Sequence, residues 1–469
     1  MNTNRTKTDS VFIRVHSCLF VVQLFLCSSA LAAEPVFTVT DKPAGPPLVG
    51  FGAESNPYLY CTPNWKDVEP RVADFEAKVM ALRPQHVRIF FRQEWFEGGE
   101  DNISKGDPRI VESFVRQCRL AQRAGATINV TPWRGPWPEP EKQMADFAAT
   151  LDRLIRAEKL TAIRYITIQN EPNTTPMTME KYNRLYRALD AELKKRGLRD
   201  ELKIISGDLV QDNQKAWFAN LGENLAGLSD GYSIHVYWDY WDTEKLVRRI
   251  SEVPKIVSAL PPAQQRPLYV TEFGVRGHRE KPSMEPGNHE DGTPIASKAV
   301  QAMELAWFQM EAMNRGYVAC VIWTLEDAWY DRLMPYGVIG AAKDGFPLKP
   351  GYHMLRLFTH TIQPGWRAMK VDGGADGRIV TAARGPNGEF TVMALNQIEG
   401  PQRVVLKGLP RDRELHSMGW NDNDLGRLWF AGSMKLPNGQ IVVTLLPHGM
   451  AVFTTVDPKP LMAKEEFLK

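Results

Sequence analysis

The sequence contains little cysteine, five residues in 469. Two of them, Cys18 and Cys27, lie in the first 32 residues, which leaves Cys61, Cys118 and Cys320 for the rest of the chain. Three thiols allow at most one intramolecular disulfide. A chain of this length can bury one large core or two ordinary ones without covalent staples. Disulfides therefore do not define this fold.

Charge of one sign is not in excess either, because the formal net charge at pH 7 is only +2. Of the 57 basic and 55 acidic residues, residues 1–32 carry three and one, so the remaining chain has 54 of each kind. A balanced chain without a basic tail offers no electrostatic attraction to nucleic acid or to an anionic membrane. We therefore expect no nucleic-acid partner.

Only one apolar run stands out, at Cys18–Cys27, and it follows a basic stretch that ends at Arg14. The small residues Ala30 and Ala32 come shortly after it. This layout is typical of a secretory signal peptide and predicts that residues 1–32 are removed on export. The run is too short to span a bilayer comfortably, and no later stretch could do so. We expect a secreted or periplasmic protein with no stable membrane insertion after cleavage; a retained apolar anchor is the alternative.

Motifs of nucleotide and metal chemistry are missing. No glycine-rich dinucleotide fingerprint follows the first predicted strand, and the chain has neither a Walker lysine nor a His-Glu-x-x-His helix. These absences argue against an open dinucleotide-binding sheet. We expect no cofactor and no bound metal.

What the sequence does contain, from about Val49 to Leu325, is an alternation of short β-branched runs with longer amphipathic segments. Strands linked by crossover helices produce this rhythm. Eight strand candidates predict a closed (β/α)8 TIM barrel over residues 45–358, within the α/β class. The candidates are Val49–Ala53, His86–Phe91, Thr127–Thr131, Tyr165–Gln169, Lys203–Ser206, Gly231–Tyr237, Leu268–Glu272 and Val318–Trp323. The clearest helical stretches are Val68–Leu82, Arg109–Ala124, Met144–Glu158, Met179–Arg196 and Ala296–Asn314.

After about Phe358 the rhythm changes to short strands separated by Gly, Pro, Asn and Asp turns. This pattern predicts a second, all-β domain over residues 359–457, a β-sandwich. A strand from residues 34–42 could join it. The strand candidates are Arg378–Ala383, Phe390–Leu395, Arg403–Leu406, Gln440–Leu445 and Ala451–Thr455.

Two glutamates stand where predicted barrel strands end. Glu171 follows Asn170 after the fourth strand, and Glu272 ends the seventh. Side chains at the carboxyl ends of barrel strands face one central pocket. Two carboxylates in one pocket suit glycoside hydrolysis, in which one attacks the anomeric carbon and the other transfers protons. The alternative is a structural ion-pair cluster, since Asn-Glu-Pro alone is a weak signal.

These residues resemble those of the retaining glycoside hydrolases of clan A, whose acid/base glutamate follows an asparagine on strand four and whose nucleophile ends strand seven. The resemblance spans the barrel, residues 49–358, and is greatest to the β-xylosidase and α-iduronidase family or the cellulase and mannanase family. It implies that Glu171 is the acid/base and Glu272 the nucleophile. It also implies cleavage of β-glycosidic bonds in an oligo- or polysaccharide, with retention of configuration.

The same resemblance extends to substrate-binding positions. It implies that Arg88 contacts the nucleophile, that Asn170 binds the sugar 2-hydroxyl, and that Tyr237 orients Glu272. His235 lies two residues before Tyr237, on the same face of the sixth strand, and is expected to line the sugar site. A tryptophan at the end of strand eight, Trp323, is expected to stack beneath the sugar.

Further tryptophans follow other strands, and flat aromatic faces suit pyranose rings. Trp133 is the one we expect to bind substrate, and about half of the rest could also touch it. The others are Trp137, Trp238, Trp241 and Trp329.

Two other functions stay open at this point. The chain could be a non-catalytic carbohydrate-binding protein on a degenerate barrel. It could also be a barrel lyase or isomerase that depends on a metal ion, in which case metal ligands must cluster at the mouth of the barrel.

Overall fold

The computed structural model describes residues 34–61, 65–92, 109–210, 214–240, 242–277, 289, 291–329, 333–422 and 428–462. The predicted signal peptide, residues 1–32, and Trp241 lie outside these ranges. Within them, every helix is too short or too polar to span a bilayer.

Eight parallel strands close into a barrel in which each strand pairs with the next and the last pairs with the first. They are β2 (Gly50–Ser55), β3 (His86–Phe91), β4 (Thr127–Pro132), β5 (Ile163–Ile166), β6 (Lys203–Leu209), β7 (Gly231–Asp239), β8 (Leu268–Arg276) and β9 (Tyr317–Ile322). All eight strands occur in the predicted order, so the TIM-barrel prediction is confirmed. The fourth barrel strand differs in detail, because it ends at Ile166 rather than at the predicted Gln169.

The barrel strands read as nearly continuous apolar runs because both of their faces are covered. Every residue of β3, for example, is buried. The inner face fills the barrel, and the outer face packs against the surrounding helices. Cys61, Cys118 and Cys320 are all buried in this core, and Cys118 and Cys320 are free thiols.

The helices turn apolar stripes toward the barrel. Four of those in the described residues, at Gln214–Leu225, Thr243–Ser258, Pro350–Thr361 and Lys459–Met462, are additional to the helical stretches named from the sequence. The helices are α1 (Trp65–Val68), α2 (Val72–Leu82), α3 (Ile110–Arg123), α4 (Pro140–Asp152), α5 (Met179–Lys195), α6 (Gln214–Leu225), α7 (Thr243–Ser258), α8 (Ala299–Asn314), α9 (Pro350–Thr361) and α10 (Lys459–Met462). A short hairpin, β10 (Ala328–Trp329) and β11 (Leu333–Met334), lies between β9 and α9.

The second domain is one mixed sheet of nine strands, which corresponds to the predicted β-sandwich. Strand order is β17-β16-β19-β14-β13-β12-β1-β15-β18. Its strands are β1 (Val36–Pro47), β12 (Arg367–Asp372), β13 (Arg378–Arg384), β14 (Phe390–Asn396), β15 (Gln402–Lys407), β16 (Glu414–Asn421), β17 (Leu428–Lys435), β18 (Gln440–Leu445) and β19 (Gly449–Thr454). Three of these strands, β12, β16 and β17, were not predicted from the sequence.

The amino-terminal strand β1 belongs to this sheet, as the sequence suggested. It pairs antiparallel with β12 and parallel with β15. The domain also contacts helix α8 of the barrel: Asn314 Nδ2 donates to the Val380 carbonyl at 3.0 Å, and Gln397 Nε2 donates to Glu304 Oε1 at 3.1 Å. The β domain thus supports a helix that packs on the seventh and eighth barrel strands.

Candidate active site

Glu171 and Glu272 meet at the mouth of the barrel. Glu171 follows β5 with φ +47° and precedes a short 3-10 turn at Pro172–Thr174, while Glu272 lies within β8. One oxygen of each carboxylate and one ring nitrogen of His235 lie within 4.8 Å of one another. The structure therefore brings the two predicted glutamates together in one site, with a histidine from β7 beside them.

Each oxygen of Glu272 accepts a hydrogen bond from a buried donor. Tyr237 Oη lies 2.5 Å from Oε1, and Arg88 Nη1 lies 2.7 Å from Oε2. The Arg88 guanidinium is fully buried, so this charge-assisted bond is little screened. Burial and the charge of Glu272 raise the pKa of Tyr237 well above its ordinary value, so the hydroxyl keeps its proton. These two donors fix the carboxylate plane of Glu272.

Glu171 has different partners. Its Oε2 lies 2.6 Å from Arg134 Nη2, and its Oε1 lies 3.2 Å from His235 Nδ1. Burial favours a raised pKa for Glu171, but the hydrogen bond and charge of His235, together with Arg134, outweigh burial and lower it. The pKa of Glu171 thus lies below its ordinary value although the side chain is largely buried. The reason is the pair of cations that contact Glu171.

His235 carries the proton of this pair. Burial alone would lower its pKa, but the charges of Glu272 and Asp208, with further hydrogen bonding, raise it to about 10. An imidazolium at this position is consistent with three surrounding carboxylates, of Glu171, Asp208 and Glu272. Because His235 and Glu171 interact strongly, they titrate as a pair rather than independently.

Arg88 is the centre of a buried polar cluster that the sequence analysis only partly found. Its Nη2 donates to Asn170 Oδ1 at 2.7 Å, in addition to the bond from Nη1 to Glu272. Two further carboxylates contact the same guanidinium: Glu54 at 3.1 Å and Asp208 at 2.6 Å. Glu54 is the penultimate residue of the first barrel strand and faces Arg88 in register, so its position near a strand end was a usable signal. Asp208 lies near the end of the fifth strand, where a signal of the same kind was present.

Aromatic side chains form one wall of the site. Trp133 and Trp323 pack with Tyr237 and with two residues that the sequence analysis did not select, Phe90 and Tyr336. The Phe90 ring lies 4.6 Å from that of Trp133 and 6.0 Å from that of Trp323. Phe90 is two residues beyond Arg88 in β3, so strand alternation puts both on the inner face.

Two other tryptophans are core residues rather than wall residues. Trp137 is buried and donates to Gln169 Oε1 at 2.5 Å. Trp238 is fully buried and donates to Glu304 Oε2 at 2.6 Å. The indole N–H of each donates to a buried protein side chain. Only some of the tryptophans near strand ends therefore face the site.

The cluster of Glu171, His235 and Glu272 contains donor types that can bind a divalent metal ion. The arrangement does not favour one. Both oxygens of Glu272 already accept protein hydrogen bonds, from Tyr237 and Arg88. The buried guanidinium of Arg88 adds positive charge beside the same oxygens.

Comparison with known proteins gives the fold a context. No family model matches the sequence, and no curated protein matches it. Solved structures do match. A GH30 endoxylanase from Clostridium papyrosolvens has a TM-score of 0.63 and 14% identity, covering 90% of this chain and 100% of its own. An alpha-L-arabinofuranosidase from Thermotoga maritima has a TM-score of 0.66 and 13% identity, covering 90% and 99%. A GH51 arabinofuranosidase from Xanthomonas axonopodis pv. citri has a TM-score of 0.64 and 14% identity, covering 90% and 100%.

These matches extend over the barrel and the β domain together. The chain therefore has the two-domain fold of these glycoside hydrolases, and the resemblance to clan A is confirmed at the level of the fold. At identities of 12–14% the matches define architecture, so what the site does must be argued from its own geometry.

Proposed function

We propose that this protein is an exported retaining glycoside hydrolase that cleaves β-glycosidic bonds of an oligo- or polysaccharide by double displacement. Glu272 is the nucleophile and Glu171 the acid/base. The observation that carries the proposal is the small separation of the two carboxylates, one oxygen of each lying within 4.8 Å of the other. Retaining pairs are about 5–5.5 Å apart, whereas inverting pairs need about 6.5–9.5 Å to admit a water molecule.

The surroundings of each glutamate support its role. Arg88 and Tyr237 each donate a hydrogen bond to Glu272, so its carboxylate is held in one orientation for attack. Glu171 is more exposed at the side chain, 17% against 8% for Glu272. A group that must exchange protons with a leaving group and then with water needs this access.

The steps follow from these positions. Glu272 attacks the anomeric carbon while the bond to the leaving oxygen breaks, and Glu171 gives that oxygen a proton that it receives from the His235 imidazolium. Glu171 then takes a proton from water, whose oxygen attacks the anomeric carbon and releases Glu272. His235, hydrogen-bonded to Glu171, is placed to share the proton between these steps.

The remaining polar and aromatic groups suit a sugar. Asn170 uses Oδ1 to accept from Arg88, and its Nδ2 makes no hydrogen bond within the part of the chain that is described. This amide is placed to bind a sugar hydroxyl, a contact that can strengthen in the transition state. Trp133 and Trp323 offer flat apolar faces for the C–H side of a pyranose.

The test is hydrolysis of a panel of aryl glycosides and of plant and algal polysaccharides. Wild type is compared with Glu272→Ala, Glu171→Ala and a control, Glu76→Ala, on helix α2 outside the site. We expect Glu76→Ala to be active and both site variants to fail on unactivated substrates. Azide should rescue Glu272→Ala with an inverted glycosyl azide and Glu171→Ala with a retained one.

Two results would contradict the proposal. If a glycan binds without turnover, the chain is a carbohydrate-binding protein on a degenerate barrel. If turnover disappears with a chelator and returns with a divalent metal, the reaction belongs to the metal-dependent class instead.

A further inference from the structure

Asp208 is a fully buried carboxylate that touches neither Glu171 nor Glu272 but contacts both cations beside them. Its Oδ2 accepts from Arg88 Nη2 at 2.6 Å, and its Oδ1 lies 3.5 Å from His235 Nε2. Arg88 in turn holds Glu272, and His235 holds Glu171. The single carboxylate of Asp208 thus contacts both of the cations that hold the two glutamates.

The backbone at Asp208 is unusual for a strand residue. Its φ is +53°, in the left-handed region, and it follows Gly207 with φ +137°. The strand register shifts between Ser206 and Leu209, so these two residues form a bulge in β6. A Cβ on Gly207 would come within 2.3 Å of the Ser233 carbonyl oxygen, so glycine is required there. Strained bulges of this kind are found where a side chain must be re-aimed, often at active sites.

The bulge is held in place by specific hydrogen bonds. The Gly207 N–H donates to Tyr182 Oη at 2.9 Å, and the Asp208 N–H donates to Ser233 Oγ at 2.7 Å. Ser233 Oγ donates back to Asp208 Oδ1 at 2.8 Å, and Thr271 Oγ1 donates to the same oxygen at 2.5 Å. Both carboxylate oxygens are therefore satisfied, and the side chain has one orientation.

We propose that Asp208 is a positioning residue of the catalytic centre: it holds Arg88 at Nη2 while Nη1 donates to Glu272, and it supplies a negative charge beside His235. This inference rests on the proposed function for its catalytic meaning. Without the carboxylate, Arg88 loses a partner that fixes its plane, and the nucleophile loses a fixed donor. His235 loses one of the three negative charges that face it. The other two belong to Glu171, which follows β5, and to Glu272 in β8.

The experiment uses Asp208→Asn, which keeps the shape of the side chain and removes its charge. The matched control is Asp190→Asn on helix α5, a nearly buried aspartate that pairs with Arg199 and Lys194 far from the site chemistry. Activity is expressed per active site, counted by trapping with a 2-deoxy-2-fluoro glycosyl fluoride. We expect Asp208→Asn to lower kcat per site by about 100-fold with little change in KM, the size typical of a small misplacement of reacting groups. Asp190→Asn should keep wild-type kcat per site.

A second readout does not depend on turnover. The imidazole of His235 is followed by NMR across pH in the wild type, with His235→Gln to assign its signal. In Asp208→Asn the titration midpoint should move to lower pH, because a facing negative charge is gone. Asp190→Asn should leave it unchanged. If Asp208→Asn does not fold, Thr271→Val removes one donor to Oδ1 and should give a smaller change of both readouts in the same direction.

The inference is overturned if Asp208→Asn loses stability but keeps both kcat per site and the His235 midpoint, since Asp208 is then only a packing residue. Failure of the proposed function is a different result. In that case the wild type cleaves no glycoside, while the NMR midpoint still reports whether Asp208 acts on His235.

Discussion

The hydroxyl of Tyr237 lies 2.5 Å from Oε1 of Glu272. Because Arg88 donates to the other oxygen, Oε2, this carboxylate is held from two directions. Tyr237 and Glu272 come from neighbouring strands, β7 and β8, so the sheet itself sets their approach. If Glu272 acts as proposed, a carboxylate held in this way loses little orientational freedom when substrate binds.

Removal of that hydroxyl should impair catalysis more than binding. We expect Tyr237→Phe to lower kcat by about 100-fold, since Glu272 keeps only one of its two donors and can rotate. Steady-state kinetics on an aryl glycoside measures this. Tyr232→Phe is the control, because its hydroxyl on the same strand donates to the Gln264 carbonyl away from the carboxylates. Equal losses in both variants would mean that the strand, and not the hydroxyl, is what matters.

Arg134 should control the pH dependence of the reaction. Its guanidinium lies 2.6 Å from Glu171 and helps to lower the pKa of that carboxyl. In Arg134→Gln the pKa of Glu171 rises, so the acid/base keeps its proton to higher pH. The basic limb of the kcat/KM profile should therefore move to higher pH. Arg276→Gln is the control, because Arg276 lies over the Tyr237 ring rather than against Glu171; a basic limb that stays in place in Arg134→Gln would refute this account.

Glu304 should make the fold less stable as the pH rises. Burial raises its pKa from 4.5 to about 8, although Trp238 and Gln397 donate to it. Between these values the folded protein holds a proton that the unfolded chain has lost. The stabilisation is therefore complete below pH 4.5 and is lost as the pH rises to about 8, at up to about 1.4 kcal/mol per pH unit.

Glu304→Gln should remove this part of the pH dependence. Thermal unfolding at about pH 5 and about pH 8.5 should show a smaller fall of Tm in the variant than in the wild type. The exposed Glu180→Gln on helix α5 is the control and should behave like the wild type. If Tm falls between the two pH values by the same amount in Glu304→Gln as in the wild type, Glu304 is already ionised in the folded protein.

Substitution of Gly52 should show how closely two neighbouring barrel strands pack beside the site. A Cβ at Gly52 would come within 1.9 Å of the His86 carbonyl oxygen on the neighbouring strand. We expect Gly52→Ala to destabilise the fold by about 3 kcal/mol, because two strands must separate. Denaturant unfolding measures the loss. Gly374→Ala, with open space around its Cβ position, should change stability by less than about 0.5 kcal/mol; similar losses in both would contradict the steric argument.

Much of the architecture could be predicted because the signals are local. A strand covered on both faces, such as β3, must be apolar throughout, and a helix on its outside must carry an apolar stripe. The sequence signal is weaker for the three strands that were not predicted, β12, β16 and β17. In β17, for instance, no residue is buried, so its side chains give no clear alternation of apolar and polar positions.

Glu171 and Glu272 could also be found from sequence, because each follows or ends an apolar strand and the carboxyl ends of barrel strands converge. What could not be found was the protonation of the site. Whether burial or charge sets the pKa of Glu171 depends on Arg134 and His235, which are distant in sequence and adjacent only in the closed barrel.

The sequence by itself determined the order of the strands, the barrel class and the placement of Glu171 and Glu272 at strand ends, since these depend on the periodicity and residue type of short segments. Tertiary structure alone decided that Asp208 and Glu54 meet at Arg88 and that β1 pairs with β12 and β15 in the distant β domain. Those contacts depend on barrel closure, on a one-residue bulge and on pairing across more than 300 residues, and none of these is encoded in any single stretch of the chain.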